Sequence, residues 1–231
     1  MPDPNMLLLQ EAAIKLASFL EEVVFVGGIT VGLLITDKGA APVRSTVDVD
    51  VIAAILTYAD YIAFSERMRA AGFREDDSEH PLTCRWRNES LLVDVLPLEK
   101  EVLGFTNIWY RGALETAINF VLPTGQSIRM IGAPFFLATK IEAFHQRGNH
   151  DYFASHDLED FIAVIDGRNA ILAEIDSAPV DLRKYLAETA QGLLRNSRFL
   201  DALPGMVLGD EASQQRIPMI HRKLTALANF S

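Results

Sequence analysis

The hydrophobic pattern of this chain changes in kind near Ile131. Before that residue, short runs rich in valine and isoleucine alternate with segments of helical spacing, whereas after it every periodic segment has helical spacing. Such a chain is expected to form a domain of mixed strands and helices, followed by a domain of helices alone. We therefore predict an α+β fold, with an α/β domain at residues 1–131 and a helical domain at residues 132–231.

The apolar spacing also predicts the elements of each domain. In the first domain, strands are expected at residues 23–26, 46–53, 82–87, 90–96 and 127–131, and helices at residues 7–20, 29–36 and 58–72. In the second domain, helices are expected at residues 134–147, 156–166, 169–175, 180–196 and 214–228.

Two aspartates lie two positions apart in a predicted strand. Asp48 and Asp50 alternate with valine and isoleucine, so their side chains should point to the same face. Two carboxylates on one face of an apolar strand repel each other unless a cation or water lies between them. A divalent cation that takes oxygen ligands, such as Mg²⁺ or Mn²⁺, meets this requirement, and a strand face exposed to water meets it equally well.

A third aspartate interrupts the most apolar of the predicted strands. Asp94 has leucine or valine on both sides, and a carboxylate buried there needs a partner. One interpretation pairs Asp94 with Arg85 or Arg87. The other makes it a third metal ligand or a general base beside the two earlier aspartates, since three acids on adjacent strands suit phosphoryl transfer.

A pair of glycines directly follows the first predicted strand. Gly27 and Gly28 indicate a tight turn, where the backbone can approach a phosphate and the following helix offers free N–H groups. Thr30 would add a hydroxyl group to such a site. A Gly-Gly pair alone indicates only a turn, and it gains weight here because the aspartates follow it.

The order of these motifs resembles the nucleotidyltransferase superfamily that shares the DNA polymerase β-type palm. That pattern is a Gly-Gly or Gly-Ser turn, an acid–x–acid strand and a third acid on a later strand. Arg44 and Thr46, with residues 138–144, 147–148 and 156–160, look like the AbiEii-type nucleotidyltransferases, toxins of abortive-infection toxin–antitoxin systems. The resemblance covers about residues 23–168 and implies a palm-like mixed sheet. Many members have serine where this chain has Gly28.

The resemblance implies a role for each matching position. The implied ligands of Mg²⁺ or Mn²⁺ are Asp48, Asp50 and Asp94, and the implied catalytic set adds Lys140. The implied contacts to the nucleotide are Gly27, Gly28, Thr30, Arg44, Thr46, Lys140 and Asp157. Without the resemblance, Lys140 would be interpreted as a solvated helical lysine, and Asp157 as an acid that stabilises a helix N-terminus.

These roles imply a metal-dependent enzyme that transfers a nucleoside monophosphate from an NTP to an acceptor hydroxyl. The acceptor alternatives are a tRNA end, a protein and a small molecule, and a toxin would also bind a cognate antitoxin. One alternative function is a nucleotide-binding module without turnover. Another is a metal phosphohydrolase built on His145, His150, His156 and Asp157, which would leave the glycine pair and the three aspartates unexplained.

Composition limits the partners and the compartment. A formal net charge of -10 disfavours broad binding to a phosphate backbone but allows a small local RNA site. The single cysteine, Cys84, excludes an intramolecular disulfide and suits a reducing compartment. No apolar run approaches the roughly 20 residues of a membrane span, and the first residues lack signal-peptide features. We expect a cytoplasmic protein without a membrane partner.

Overall fold

The computed structural model describes residues 3–76, 84–147 and 151–230 and divides the chain into two compact units. Unit 1 comprises Met1–Thr30 and Arg44–Gly132, and unit 2 comprises Val31–Val43 and Ala133–Ser231. The change of pattern near Ile131 therefore coincides with the passage from unit 1 to unit 2. The segment Val31–Val43 belongs to unit 2 although it precedes that point, because its backbone is bound there: the Thr36 and Asp37 N–H groups donate to the Gly167 carbonyl at 2.9 and 2.8 Å.

Unit 1 is built on a mixed β-sheet. Its strands are β1 Val23–Val26, β2 Val49–Ala53, β3 Arg74–Glu75, β4 Arg85–Asn88, β5 Leu91–Leu96, β6 Ile118–Val121 and β7 Ser127–Met130. Within the described residues they form one seven-stranded sheet in the order β3-β4-β5-β2-β1-β7-β6. β2 runs antiparallel to β1 and parallel to β5, and β5 runs antiparallel to β4. The predicted α+β class is confirmed.

The helices, numbered along the chain, belong to both units. They are α1 Met6–Lys15, α2 Val31–Leu34, α3 Tyr58–Ala70, α4 Lys100–Leu103, α5 Tyr110–Glu115, α6 Ala133–Arg147, α7 His156–Gly167, α8 Ile171–Asp176, α9 Val180–Arg195, α10 Ser197–Ala202, α11 Glu211–Gln214 and α12 Ile217–Leu227. Unit 1 contains α1 and α3 to α5, and unit 2 contains α2 and α6 to α12. Among the described residues no helix has both the length and the apolar character needed to cross a lipid bilayer.

Most predicted elements are confirmed, with some changes at their ends. β1 has the predicted limits, and α3 begins at a Thr57–Asp60 capping box and is followed by Gly72, whose φ of 86° suits only glycine well. The helix predicted at residues 29–36 is shorter: a 3₁₀ turn, Gly28–Thr30, precedes α2. The strand predicted at 46–53 begins at Val49, so Asp48 precedes it. Residues 82–83 of another predicted strand lie outside the described residues.

Each unit has its own apolar core. In unit 1, Phe25 of β1, Trp86 of β4 and Val93 of β5 are fully buried. In unit 2, α6 packs on α7 and α12 packs on α9 and α7, with Phe136 and Phe161 fully buried. Burying a side chain of this size stabilises the folded state by about 1.5–3 kcal/mol, so each core stabilises its own unit.

An arginine near the start of α12 holds the early segment of unit 2 in place. The Arg216 Nε donates to Asp166 Oδ2 at 2.7 Å, Nη2 to Asp37 Oδ2 at 2.7 Å and Nη1 to the Gly39 carbonyl at 3.1 Å. The hydrogen bond that Arg216 donates to Asp166 raises the pKa of the Arg216 guanidinium, and the one that it donates to Asp37 lowers the pKa of the Asp37 carboxyl. Arg216 thus connects Asp37 and Gly39 to helix α7.

We predict that Arg216→Ala lowers the free energy of unfolding of unit 2 by about 3 kcal/mol, because the Asp166 side chain, 6% exposed, loses its counter-ion. Lys184→Ala is the control: its pair with Glu188 spans 3.9 Å between side chains that are 69% and 63% exposed, so the loss should stay below about 0.5 kcal/mol. Urea unfolding followed by far-ultraviolet circular dichroism measures both. Equal losses would contradict the assigned role of Arg216.

Candidate functional site

The glycine pair of unit 1 forms a tight turn at the end of β1. Gly27 has a φ of 70°, in the left-handed region, and Gly28 begins the 3₁₀ turn Gly28–Thr30. The Thr30 hydroxyl donates to the Gly27 carbonyl at 2.9 Å, and Thr30 is fully buried. Its hydroxyl group therefore stabilises the turn, and its predicted contact with a nucleotide stays a prediction.

The turn lies directly against one of the three aspartates. A Cβ atom at Gly27 would lie 1.9 Å from Asp50 Oδ2, far shorter than the van der Waals contact distance between a carbon and an oxygen atom. The register explains this contact, because Val26, the residue before Gly27, pairs with Asp50 across β1 and β2. A residue without a side chain is therefore required at position 27 if the Asp50 carboxylate is to keep this place.

The second glycine lies against the segment that precedes β2. A Cβ atom at Gly28 would lie 3.1 Å from Arg44 Nη2 and 3.6 Å from Thr46 Oγ1. Arg44 and Thr46, which the resemblance assigns to phosphate contacts, thus lie beside the glycine turn. The Thr46 hydroxyl also donates to Asp48 Oδ1 at 3.0 Å, so it orients the first aspartate.

A buried asparagine fixes this segment and was not identified from the sequence. The Asn5 side-chain amide donates to the Arg44 carbonyl at 3.0 Å and accepts from the Thr46 N–H at 2.9 Å, and Asn5 is 1% exposed. The Asn5 side chain thus satisfies one backbone carbonyl and one backbone N–H of this segment, as a neighbouring strand would. Asn5 lies about 40 residues from its partners in the chain, and no local pattern in the sequence indicates the contact.

Asp50 and Asp94 are register partners on the parallel strands β2 and β5, and Asp48 precedes β2 by one residue. The side chains of Asp48 and Asp94 are 27% and 14% exposed. The structure therefore brings the three predicted aspartates together in unit 1, on and beside neighbouring interior strands near the end of β1 where the glycine turn lies.

An arginine on β4 lies between two of these carboxylates. Arg85 is the cross-strand partner of Asp94; its Nε lies 2.8 Å from Asp94 Oδ1 and its Nη2 lies 2.7 Å from Asp94 Oδ2. The same Nη2 lies 2.9 Å from Asp48 Oδ2. Hydrogen bonding to Asp94 raises the pKa of the Arg85 guanidinium. The interpretation that pairs Asp94 with an arginine is thus confirmed for Arg85, whereas Arg87 pairs with Asp76 at 2.7 Å.

The carboxylates as arranged do not fit a divalent cation. In the part of the chain that the structure describes, no group of three or more His, Cys, Asp or Glu side chains could hold a metal ion. The donor chemistry suits Mg²⁺, which prefers carboxylate oxygens, but the Arg85 guanidinium already binds Asp48 and Asp94. The prediction of a site for Mg²⁺ or Mn²⁺ on the three aspartates stays a prediction.

The predicted site residues of unit 2 form a buried ion cluster. Lys140 on α6 is 6% exposed, and its Nζ lies 3.1 Å from Asp157 Oδ1 and 2.6 Å from Asp160 Oδ2 on α7. The interpretation of Lys140 as a solvated lysine is therefore wrong. Ser155 caps the N-terminus of α7 through its side chain, and Asp157 lies in the first turn, where an acid favours the helix. Asp157 and Asp160 share one face of α7, since both contact the Lys140 Nζ.

The histidines of the alternative phosphohydrolase site do not form a cluster within the described residues. The His156 side chain is 71% exposed and pairs with Glu159 at 2.7 Å. His145 contacts the Phe144 ring. His150, and Gly148 of the motif at residues 147–148, lie outside the described residues.

The cysteine beside Arg85 is not suited to act as a nucleophile. Cys84 is buried, and burial, together with the negative charge of Asp94, raises the pKa of its thiol to about 12. A thiol with this pKa is almost wholly protonated at neutral pH, and the thiolate is the reactive form. Cys84 is therefore a small hydrophobic residue of the core.

The chain matches no protein-family model. No curated protein matches it in sequence. Among solved structures it is similar to an antigenic nucleotidyltransferase-like protein from Paracoccidioides brasiliensis, with 18% identity, a TM-score of 0.47, and coverage of 87% of this chain and 94% of that one. It is also similar to JHP933 from Helicobacter pylori, with 13% identity, a TM-score of 0.44, and coverage of 96% and 86%. At these TM-scores the similarities carry no conclusion about function.

We predict that Gly27→Ala lowers the free energy of unfolding of unit 1 by about 2 kcal/mol or more, because it combines a positive φ with a clash against Asp50. Gly28→Ala is the matched control. Its Cβ atom would lie 3.1 Å from the Arg44 Nη2 atom, a much weaker clash, and Gly28 has no positive φ, so the loss should be smaller. Tryptophan fluorescence during urea unfolding reports on unit 1, which contains Trp86 and Trp109. A smaller loss for the position 27 variant would contradict the contact.

Proposed function

We propose that this chain is a nucleotidyltransferase that transfers a nucleoside monophosphate from an NTP to a hydroxyl group of an acceptor. The observation that carries the proposal is the arrangement in unit 1: the Gly27 backbone lies against the Asp50 carboxylate, with Asp94 in register beside it. A glycine turn suits the close approach of a phosphate. Carboxylates beside it suit the activation of a hydroxyl nucleophile.

The reaction follows from what these groups can do. The turn at Gly27 and Gly28 binds the triphosphate through backbone N–H groups, with Arg44 nearby as a positive charge. One of the three carboxylates accepts the proton of the acceptor hydroxyl as its oxygen attacks the α-phosphorus. The new O–P bond forms as the bond between the α-phosphorus and the bridging oxygen breaks, and pyrophosphate leaves.

The finer parts of the proposal rest on the sequence motifs. Membership of the AbiEii-type family, a toxin role and binding to a cognate antitoxin follow from the resemblance, as does the contact of Lys140 with the triphosphate. Dependence on Mg²⁺ or Mn²⁺ belongs to the proposal, with the three aspartates as oxygen donors. The net charge of -10 favours an acceptor that needs only a small local site, such as a tRNA end, a protein side chain or a small molecule.

A second candidate function is a nucleotide-binding module without turnover. The observation that favours it is the position of Arg85, whose guanidinium binds Asp48 and Asp94 at 2.9 and 2.7 Å. A carboxylate held in this way has fewer free lone pairs for a cation or an acceptor hydroxyl than one that faces water. Under this candidate the glycine turn would still bind a nucleotide.

Incubation of the purified protein with each NTP, labelled at the α-phosphate, Mg²⁺ and total tRNA tests the proposal. We expect label on RNA, on the protein or on a small product, and a loss of about 100-fold or more for Asp48→Asn, which removes a carboxylate of the proposed site. The resemblance predicts a loss for Lys140→Ala as well. Asp181→Asn, at an exposed position of α9, is the control and should keep full activity. NTP binding without transfer would support the binding module, and the absence of both would contradict the proposal.

A further inference from the structure

The Asn5 side chain departs from the role that its place in the chain favours. Asn5 is the N-cap residue of α1, a position where an asparagine side chain commonly accepts a hydrogen bond from the first turn of its own helix. Here the side chain makes no such bond. Its Nδ2 donates to the Arg44 carbonyl at 3.0 Å, and its Oδ1 accepts from the Thr46 N–H at 2.9 Å. The Asn5 side chain therefore serves a distant segment instead of its own helix.

The backbone of Asn5 is bound as well. Its N–H donates to Asp3 Oδ1 at 2.9 Å, and its carbonyl accepts from the Leu9 N–H at 3.0 Å. The residue is 1% exposed, so water does not compete for the side-chain amide. A buried planar amide that donates and accepts at once has a fixed orientation. Its removal would leave the Arg44 carbonyl and the Thr46 N–H without these hydrogen bonds.

The segment that Asn5 holds carries two groups of the proposed nucleotide site. Residues 44–46 belong to neither a helix nor a strand. The Thr46 hydroxyl donates to Asp48 Oδ1 at 3.0 Å, and Arg44 Nη2 would lie 3.1 Å from a Cβ atom at Gly28. Thr46 therefore connects Asn5 to the first aspartate, and Arg44 connects it to the glycine turn.

We propose that Asn5 is a positioning residue for nucleotide binding. Its two hydrogen bonds keep the Thr46 hydroxyl on Asp48 and the Arg44 side chain beside the glycine turn. The inference deepens the proposed function, on which it rests for the nucleotide. Asn5 acts only through Arg44 and Thr46.

The effect of Asn5 on nucleotide affinity follows from the conformational freedom of this segment. Without the two hydrogen bonds, residues 44–46 would occupy several conformations. Only a fraction of the molecules would then have Arg44 and Thr46 in the arrangement that suits a triphosphate, and the apparent affinity falls in proportion to that fraction. Loss of the Asn5 amide should therefore weaken nucleotide binding even where the chain stays folded.

Titration calorimetry with the α,β-methylene analogues of ATP, GTP, CTP and UTP, on the full chain and in the buffer of the transfer assay, tests the proposal. We expect Asn5→Ala to bind the preferred analogue about tenfold more weakly than the wild type. Asn107→Ala is the matched control, because Asn107 is another buried asparagine of unit 1, 5% exposed, whose side chain accepts from the Trp109 N–H at 3.1 Å. Its Tm should fall, whereas its affinity should stay within about twofold of the wild type.

Amide hydrogen exchange, followed by NMR without nucleotide, measures the contact itself. The Thr46 N–H should exchange about tenfold or more faster in Asn5→Ala than in the wild type, and within about twofold of the wild-type rate in Asn107→Ala. An unchanged rate in Asn5→Ala overturns the proposal. If Asn5→Ala does not fold, Asn5→Ser replaces it. Serine suits an N-cap and adds no charge, but its short hydroxyl cannot bind both Arg44 and Thr46, so the affinity should fall about threefold or more.

The outcomes separate this inference from the proposed function. A wild type that binds an analogue, with a folded Asn5 variant that binds it equally well, overturns the inference and leaves the proposed function standing. Equal losses of affinity in Asn5→Ala and Asn107→Ala also overturn it, because they would reflect general destabilisation. A wild type that binds none of the analogues contradicts the proposed function and the inference together. Weaker binding by the Asn5 variant alone upholds the inference, whether or not nucleotidyl transfer occurs.

Discussion

The arrangement of unit 1 depends on one electrostatic interaction, the contact of the Arg85 guanidinium with Asp48 and Asp94. Three carboxylates on and beside neighbouring strands of a sheet would repel one another and would resist burial without a positive charge. Arg85 supplies this charge from the neighbouring strand, because the register of β4 and β5 places it directly opposite Asp94. The register of the strands therefore brings a positive charge to the partly buried carboxylates, so the cluster of Asp48, Asp50 and Asp94 can form when the chain folds.

The backbone next to the carboxylate cluster leaves room for it and holds its neighbours in place. Gly27 has no side chain, so the Asp50 carboxylate can lie against its Cα atom, and a positive φ turns the chain sharply after β1. Asn5 fixes the segment that carries Arg44 and Thr46, although it belongs to the N-terminal end of the chain. These contacts place the glycine turn and the carboxylates side by side within unit 1, which is the physical basis of the proposed activity.

The sequence predicts much of this arrangement, for identifiable reasons. Alternation around Asp50 and the apolar run around Asp94 each indicate a strand, and Gly27 indicates the turn, because these signals are local. The choice of Arg85 over Arg87 as the partner of Asp94 depends on register, which a single strand does not reveal. The contact of Asn5 and the membership of Val31–Val43 in unit 2 depend on residues distant in the chain. β6 was missed because three of its four residues are exposed, so it shows no alternation.

The central claim is that the carboxylate cluster and the glycine turn of unit 1 form one nucleotide site. A crystal structure of the full chain with Mg²⁺ and a non-hydrolysable NTP analogue tests it most directly. We expect the triphosphate at the backbone of Gly27 and Gly28, beside the Asp50 carboxylate. A nucleotide bound away from this turn would contradict the claim.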